Sequence, residues 1–160
     1  MTPNVTEDRP MTTAPAVVRA SNPLTRRLLR VGLPMGPNRL LTVVGRSTGI
    51  ARTAPVAVAE IDGSWFVIGA YGEVHWVRNL RAAGRATIRL DGRDVPVTAR
   101  ELAHPEAVRF FRDALPAYAA RLPWLFRFGV RALFRVAAPE IFTDPERAAT
   151  TRPVFELRAA

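Results

Sequence analysis

The run APVAVAEIDGSWFVIGA, residues 54–70, decides the fold. Residues 54–60 and 64–70 are rich in apolar and β-favouring side chains, and Asp62-Gly63 between them is a favoured two-residue hairpin pair. A tight antiparallel hairpin follows. The run ATIRLDGRDVPVTA, residues 86–99, repeats the device. Ala86, Ile88 and Leu90 alternate with Thr87 and Arg89, and Val95, Val97 and Ala99 alternate with Pro96 and Thr98, joined around Asp91 and Gly92. Residues 40–44 on one side and 153–157 on the other are short apolar runs that extend and close the sheet.

Between the hairpins, His75–Ala83 places Val77 and Leu80, with Trp76, on one side at helical spacing and stops near Gly84. Helical patterns gather again later. Residues 104–114 carry Pro105 at a first-turn position and repeat Val108, Phe111 and Leu115, and Pro116 is expected to interrupt them. Residues 124–136 set Arg127, Arg131 and Arg135 four apart beside Leu125, Phe128 and Phe134, giving a basic stripe. Upstream, Leu24, Leu28, Leu29 and Val31 interleave with Arg26, Arg27 and Arg30 in a short amphipathic helix ahead of the barrel. Residues 1–20, with Pro3, Pro10 and Pro15 and no periodic apolar face, read as a disordered tail. Residues 21–160 then form a single domain with an N-terminal helix and a helical insertion near 104–137.

A chain of 160 residues is long enough for one core, a barrel or a sandwich. No apolar run approaches the roughly 20 residues that would span a bilayer. Thr6, Glu7, Asp8 and Arg9 interrupt any signal-peptide core, so a cytoplasmic protein is expected, with the inner face of the membrane as an alternative location. With no cysteine there is no disulfide, thiolate nucleophile or Cys-ligated metal, and His75 and His104 belong to no metal-ligand cluster. The net charge of +9 rests entirely on arginine, the better fork for phosphates and carboxylates, and implies an anionic partner: cofactor, membrane surface or nucleic acid. The arginines are spread over several elements and match no nucleic-acid module, so no nucleic-acid partner is expected.

Two blocks carry the chemistry. In GRSTGIARTAP, residues 45–55, glycines let the backbone approach a ligand, Ser47 and Thr48 supply hydroxyls, and Arg46 and Arg52 can clamp anionic oxygens. The plainer reading is a hairpin turn with solvated arginines. The second block is GAYGEVHWVRNLR, residues 69–81. Taken together with PVFEL at 153–157, the two blocks resemble the deazaflavin-dependent nitroreductase family over roughly residues 38–158. An arginine three residues past the closing glycine of the turn, and a tryptophan three before Asn-Leu, stand in the family's order and spacing.

The resemblance implies an α+β, mainly β fold: a split β-barrel, flavin-reductase and FMN-binding-like, of about six antiparallel strands with flanking helices. It implies binding of coenzyme F-420, a deazaflavin with a phosphate and an oligoglutamate tail, with FMN as the runner-up cofactor. Carried over by position, Arg46, Ser47, Thr48 and Arg52 meet the phosphate and tail, Pro55 follows in the same lining, and Gly69, Ala70 and Tyr71 border the ring. Trp76 and Asn79 match the family's residues near the cofactor; the plainer readings are a core tryptophan and a helix-end hydrogen-bonding asparagine. Ser47 stands where the family often has lysine, and Ala70 and Tyr71 where it often has serine or lysine.

The implied reaction is hydride transfer to a nitro, quinone or conjugated carbonyl acceptor, which gains negative charge as hydride arrives, so a nearby phenol or cation lowers the barrier. Tyr118 is the leading donor candidate, because its segment matches one whose tyrosine lies over the substrate pocket; Tyr71 and His75 are the alternatives. No metal is expected. The partner is a small-molecule acceptor, and the protein is a monomer or homodimer. A rival reading is a peripheral membrane protein, or a split barrel that binds flavin, haem or lipid without F-420 turnover.

Overall fold

A computed structural model describes residues 38–160, so the expected tail at 1–20 and the expected helix near 22–33 lie outside the described residues. Both Asp-Gly hairpins form. β2 (Ala51–Ile61) turns into β3 (Ser64–Ile68) through Asp62 and Gly63 at φ 50° and 77°. β4 (Arg85–Leu90) turns into β5 (Arg93–Glu101) through Asp91 and Gly92 at φ 48° and 79°. Two successive positive φ values match the right-handed twist of the flanking strands, and Asp and Gly are among the few residues that accept them.

β1 (Asn38–Val44) pairs with β2 on one edge and β4 on the other, and β6 (Val154–Ala159) pairs with β3 and β5. The order β1-β2-β3-β6-β5-β4 closes a six-stranded antiparallel barrel, the split β-barrel expected from the sequence. Alternate residues fill it: Leu41, Val43, Val56, Val58, Val67, Ile88, Val97, Phe155 and Leu157 are buried in one cluster. Each such side chain contributes roughly 1.5–3 kcal/mol of burial. α1 (His75–Ala83) adds the fully buried Val77 and Leu80 to this cluster. It ends at Gly84, whose φ of 62° is left-handed and whose N–H donates to the Leu80 carbonyl.

A second apolar layer forms outside the barrel wall. Ile68 and Val154 pack with Phe110, Phe111, Leu115, Ile141 and Ala148. The helical residues of this layer come from a π turn (Phe110–Ala114), which continues α2 (His104–Arg109), and from α3 (Leu115–Arg121), α5 (Glu140–Thr143) and α6 (Pro145–Thr151). α4 (Trp124–Ala137) lies between α3 and α5 in the chain. Here one sequence expectation is corrected: Pro116 does not interrupt the helix. The chain remains helical from His104 to Arg121, because the turn before Pro116 widens and the Leu115 N–H donates to the Phe110 carbonyl five residues back. Proline lacks an N–H and its ring collides with the carbonyl four residues earlier in an α-helix, and a π turn relieves both. The helices also continue past 137, through α5 and α6, before β6 begins.

One charged group is folded into the sheet. Glu156 of β6 is buried and accepts hydrogen bonds from Ser64 at 3.1 Å, Arg100 at 2.9 Å and Arg158 at 2.7 Å. Burial alone would raise its pKa, but these donors outweigh burial and hold it below the ordinary carboxylate value. A carboxylate with a depressed folded-state pKa stabilises the fold above its ordinary pKa, and that contribution is lost as pH falls through the folded-state value. Glu156→Gln should therefore melt below the wild type at neutral pH, and the two melting curves should converge as the pH is lowered past the ordinary carboxylate range, as read by circular dichroism.

Candidate cofactor site

The turn between β1 and β2 is built tightly. The Gly45 N–H donates to the Ile50 carbonyl at 2.9 Å, and the Gly49 N–H donates to the Gly45 carbonyl at 2.8 Å. A Cβ at Gly45 would lie 2.7 Å from the Thr48 hydroxyl and 3.2 Å from the Ile50 carbonyl, so any larger residue would have to displace Thr48 and press on the turn backbone. Arg46, Ser47, Thr48 and Arg52 are exposed around this turn. Among the described residues neither Arg46 nor Arg52 has an acidic partner. Two solvent-facing guanidinium groups and two hydroxyls on a glycine-tightened turn suit phosphate or carboxylate oxygens, which is the donor set that the anionic end of F-420 requires.

Asn79 sets the turn in place. It is 5% exposed, and its Oδ1 accepts from the Arg46 backbone N–H at 3.2 Å and from Arg46 Nη1 at 3.0 Å. The asparagine thus joins α1 to the basic turn across 33 residues of sequence.

Pro55 lies in the half of β2 that pairs with β1. Pairing with β3 is confined to Val58–Ile61, so among the described residues no strand covers the other edge of β2 from Ala51 to Ala57. A proline is tolerated where a strand has such an open edge, since one ladder donor is dispensable there.

After β3 the chain enters the second block. The Gly69 N–H donates to the Pro153 carbonyl at 2.7 Å, and a Cβ at Gly69 would meet Val77, Gly72 and Pro153 at 3.0–3.3 Å. The Ala70 carbonyl accepts from Arg152 at 2.7 Å. Tyr71 is partly exposed, and burial raises its hydroxyl pKa. His75 is exposed on the first turn of α1. Trp76 is partly buried against the barrel core, with its ring centroid 6.4 Å from that of Phe155.

Tyr118 of α3 belongs to the outer apolar cluster, as does Ala70. Its hydroxyl donates to the Val58 carbonyl at 3.5 Å, and burial, opposed by Arg39 and reinforced by Glu60, raises its pKa. Both tyrosines therefore stay protonated at neutral pH, and the long Tyr118 contact to Val58 is one that an acceptor oxygen could replace.

A cavity of about 570 Å³ opens between the β2–β3 hairpin end and the α2–α3 helical run, lined among others by Ile61, Phe66, Phe110, Ala117, Tyr118 and Arg121. Of the sequence-derived candidates it contains Tyr118, and none of the residues of the basic turn. The turn leads into the first residues of β2, an 11-residue strand, and the cavity is lined by its last residues, Glu60 and Ile61. The structure thus joins Arg46 to Asn79 directly and puts Ala70 and Tyr118 in one cluster, while Arg46 and Tyr118 stay apart. Sequence reasoning missed Arg152 and Glu140, which lie far from both motif blocks along the chain.

Removing the Asn79 side chain leaves two donors of Arg46 without their acceptor. Asn79→Ala should lower stability by about 1 kcal/mol and weaken anion binding at the turn. Denaturant melting together with F-420 titration checks both effects.

Among solved structures the chain is similar to an F420-H2 dependent reductase, FDR-A, at 21% identity over 76% of this chain and 94% of that one, with a TM-score of 0.47. It is also similar to a heme-binding protein from Mycobacterium smegmatis, at 14% identity over 92% and 52% of the two chains, with a TM-score of 0.44. A FAD-binding protein from Mesorhizobium loti follows at 14% identity over 82% and 87%, with a TM-score of 0.41. No curated protein matches the chain. The sequence of the F420H(2)-dependent quinone reductase family matches residues 17–124, more than half of the chain and the whole of the basic turn, the second block and α1. The chain therefore belongs to the F420H(2)-dependent quinone reductase family, and it is an oxidoreductase that uses reduced coenzyme F-420.

Proposed function

We propose that the protein passes a hydride from reduced F-420 to a small quinone-type acceptor, with nitro and conjugated carbonyl compounds as further acceptors of the same electronic kind. The observation that carries this reading is the basic turn: Arg46 and Arg52 exposed without an acidic partner among the described residues, beside Ser47 and Thr48, and fixed to α1 by Asn79. When bound, F-420 supplies the hydride. The protein's part is binding, orientation and charge stabilisation. Arg46, Ser47, Thr48 and Arg52 hold the phosphate and tail, and Pro55 continues that lining along the open edge of β2. Gly69, Ala70 and Tyr71 border the ring, while Trp76 and Asn79 of α1 lie near the cofactor, Asn79 by holding Arg46 of the basic turn. A quinone, nitro or enone oxygen becomes anionic as the acceptor is reduced, and a neutral phenol can donate a hydrogen bond to it. Tyr118 serves this role in the proposal, with Tyr71 and His75 as the alternatives.

Titration with F-420 and, in parallel, with FMN tests the reading. Saturable submillimolar binding of F-420 and not of FMN is the expected result, and a preference for FMN would sink it. Arg52→Ala should weaken F-420 binding about tenfold, the loss of one charge-assisted contact, with the melting temperature unchanged. Tyr118→Phe should lower kcat with a menadione-type quinone while F-420 affinity holds.

A second reading concerns where the acceptor is met. α4 leaves Trp124, Leu125 and Phe128 exposed by 74%, 63% and 75%, among exposed Arg127, Arg131 and Arg135. The helix contains no acidic residue. Interleaved aromatics and arginines suit the headgroup layer of an anionic bilayer, where a lipid-soluble quinone is found. No helix among the described residues is long and apolar enough to cross a membrane, so this contact would be peripheral. The full chain should float with phosphatidylglycerol vesicles and not with phosphatidylcholine vesicles, and Trp124→Glu with Phe128→Glu should abolish flotation. Equal behaviour of the wild type with both vesicles would remove the membrane from the reading.

A further inference from the structure

β3 and β6 remain paired to Ile68 and Val154, and beyond that point the chain after β3 leaves the sheet. The backbone groups of residues 69–72 then need partners outside the ladder. The segment just before β6 supplies two of them. The Pro153 carbonyl accepts from the Gly69 N–H at 2.7 Å, and Arg152 Nη1 donates to the Ala70 carbonyl at 2.7 Å. Arg152 is itself held: its Nε and Nη2 donate to Glu140 Oε1 at 2.8 and 2.5 Å. The two side chains are 15% and 12% exposed. Thr151 adds a hydroxyl contact to the same oxygen at 3.5 Å. Glu140 begins α5, whose Ile141 is fully buried in the outer apolar cluster, so the carboxylate stands on a packed element.

We infer that Arg152, aimed by Glu140, is a positioning residue that fixes the Gly69–Gly72 backbone and so sets the border against which the F-420 ring is held. This rests on the proposal that Gly69–Tyr71 border the ring. Both members of the clasp lie beyond residue 124, where the family match ends. The planar guanidinium is what allows the arrangement: one edge engages Glu140 and the remaining nitrogen reaches Ala70. A lysine could keep the ion pair but not both contacts at once. Burial would raise the pKa of Glu140, yet its backbone and Arg152 hydrogen bonds hold it below the ordinary value, so the carboxylate stays charged near neutral pH.

Three variants of the full chain test the inference: Arg152→Lys, Glu140→Gln and Ala70→Arg, each read by F-420 fluorescence titration, thermal melting and backbone hydrogen exchange. Arg152→Lys should weaken F-420 binding about tenfold, as expected for one lost charge-assisted hydrogen bond. It should also speed exchange at residues 69–72 selectively in the cofactor-free protein, while melting close to the wild type. Glu140→Gln should act in the same direction, and the double variant should be no worse than Arg152→Lys alone. Wild-type affinity and exchange in Arg152→Lys would overturn the inference, as would faster exchange spread over the whole barrel. Ala70→Arg separates this failure from failure of the underlying reading: unchanged F-420 affinity there means that the 69–71 border does not meet the cofactor, and both fall. Lost affinity in Ala70→Arg with an unaffected Arg152→Lys overturns the clasp alone.

Discussion

Pairing of Val154–Ala159 with both β3 and β5 is the constraint on which the rest of the structure depends. Without β6 the two hairpins would each present a bare edge, and Phe155 and Leu157, nearly or fully buried, would be missing from the barrel interior. The same strand brings a charge into the sheet, and Ser64, Arg100 and Arg158 satisfy Glu156 there. A buried carboxylate is tolerable only when its lone pairs are engaged, and pairing of β6 with β3 and β5 brings Ser64 and Arg100 to this group. Arg152 and Pro153, immediately before β6, are then delivered to the loop after β3 by the pairing that closes the sheet.

The candidate site inherits its geometry from this closure through two connections. One runs from the barrel core through α1: Val77 and Leu80 are locked in the apolar interior, and Asn79 between them holds Arg46. The other runs from the outer helical layer through Glu140 and Arg152 to Ala70. The basic turn and the loop after β3 are thus each tied to a rigid element. The sequence match to the F420H(2)-dependent quinone reductase family spans the first connection, while Glu140 and Arg152 of the second lie beyond it.

Much of this was legible in the sequence where the cause is local. Asp62-Gly63 and Asp91-Gly92 announce two hairpins because few residue pairs accept two positive φ values in succession. His75–Ala83 is bounded as the periodicity of Val77 and Leu80 and the stop at Gly84 require. The glycines and arginines of residues 45–52 marked the candidate anion cradle, because their usefulness lies in the residue types themselves. Pro116 misled for an equally local reason. A proline costs about 3 kcal/mol in a regular α-helix, and nothing in the sequence reveals that packing of Phe110, Phe111 and Leu115 against the barrel wall favours a widened turn over a break.

By itself, then, the sequence determined the strand hairpins, the short crossing helix, the basic glycine turn and the family to which they belong. The tertiary structure alone decided that Asn79 holds Arg46, 33 residues away, and that Arg152 reaches Ala70, 82 residues away. It also placed Tyr118 at the cavity end of β2, away from the basic turn. Turn chemistry and helical period act over a few residues and can be read in order along the chain. Side-chain contacts across a closed barrel depend on which strands become neighbours, and that is settled by the burial of the whole core.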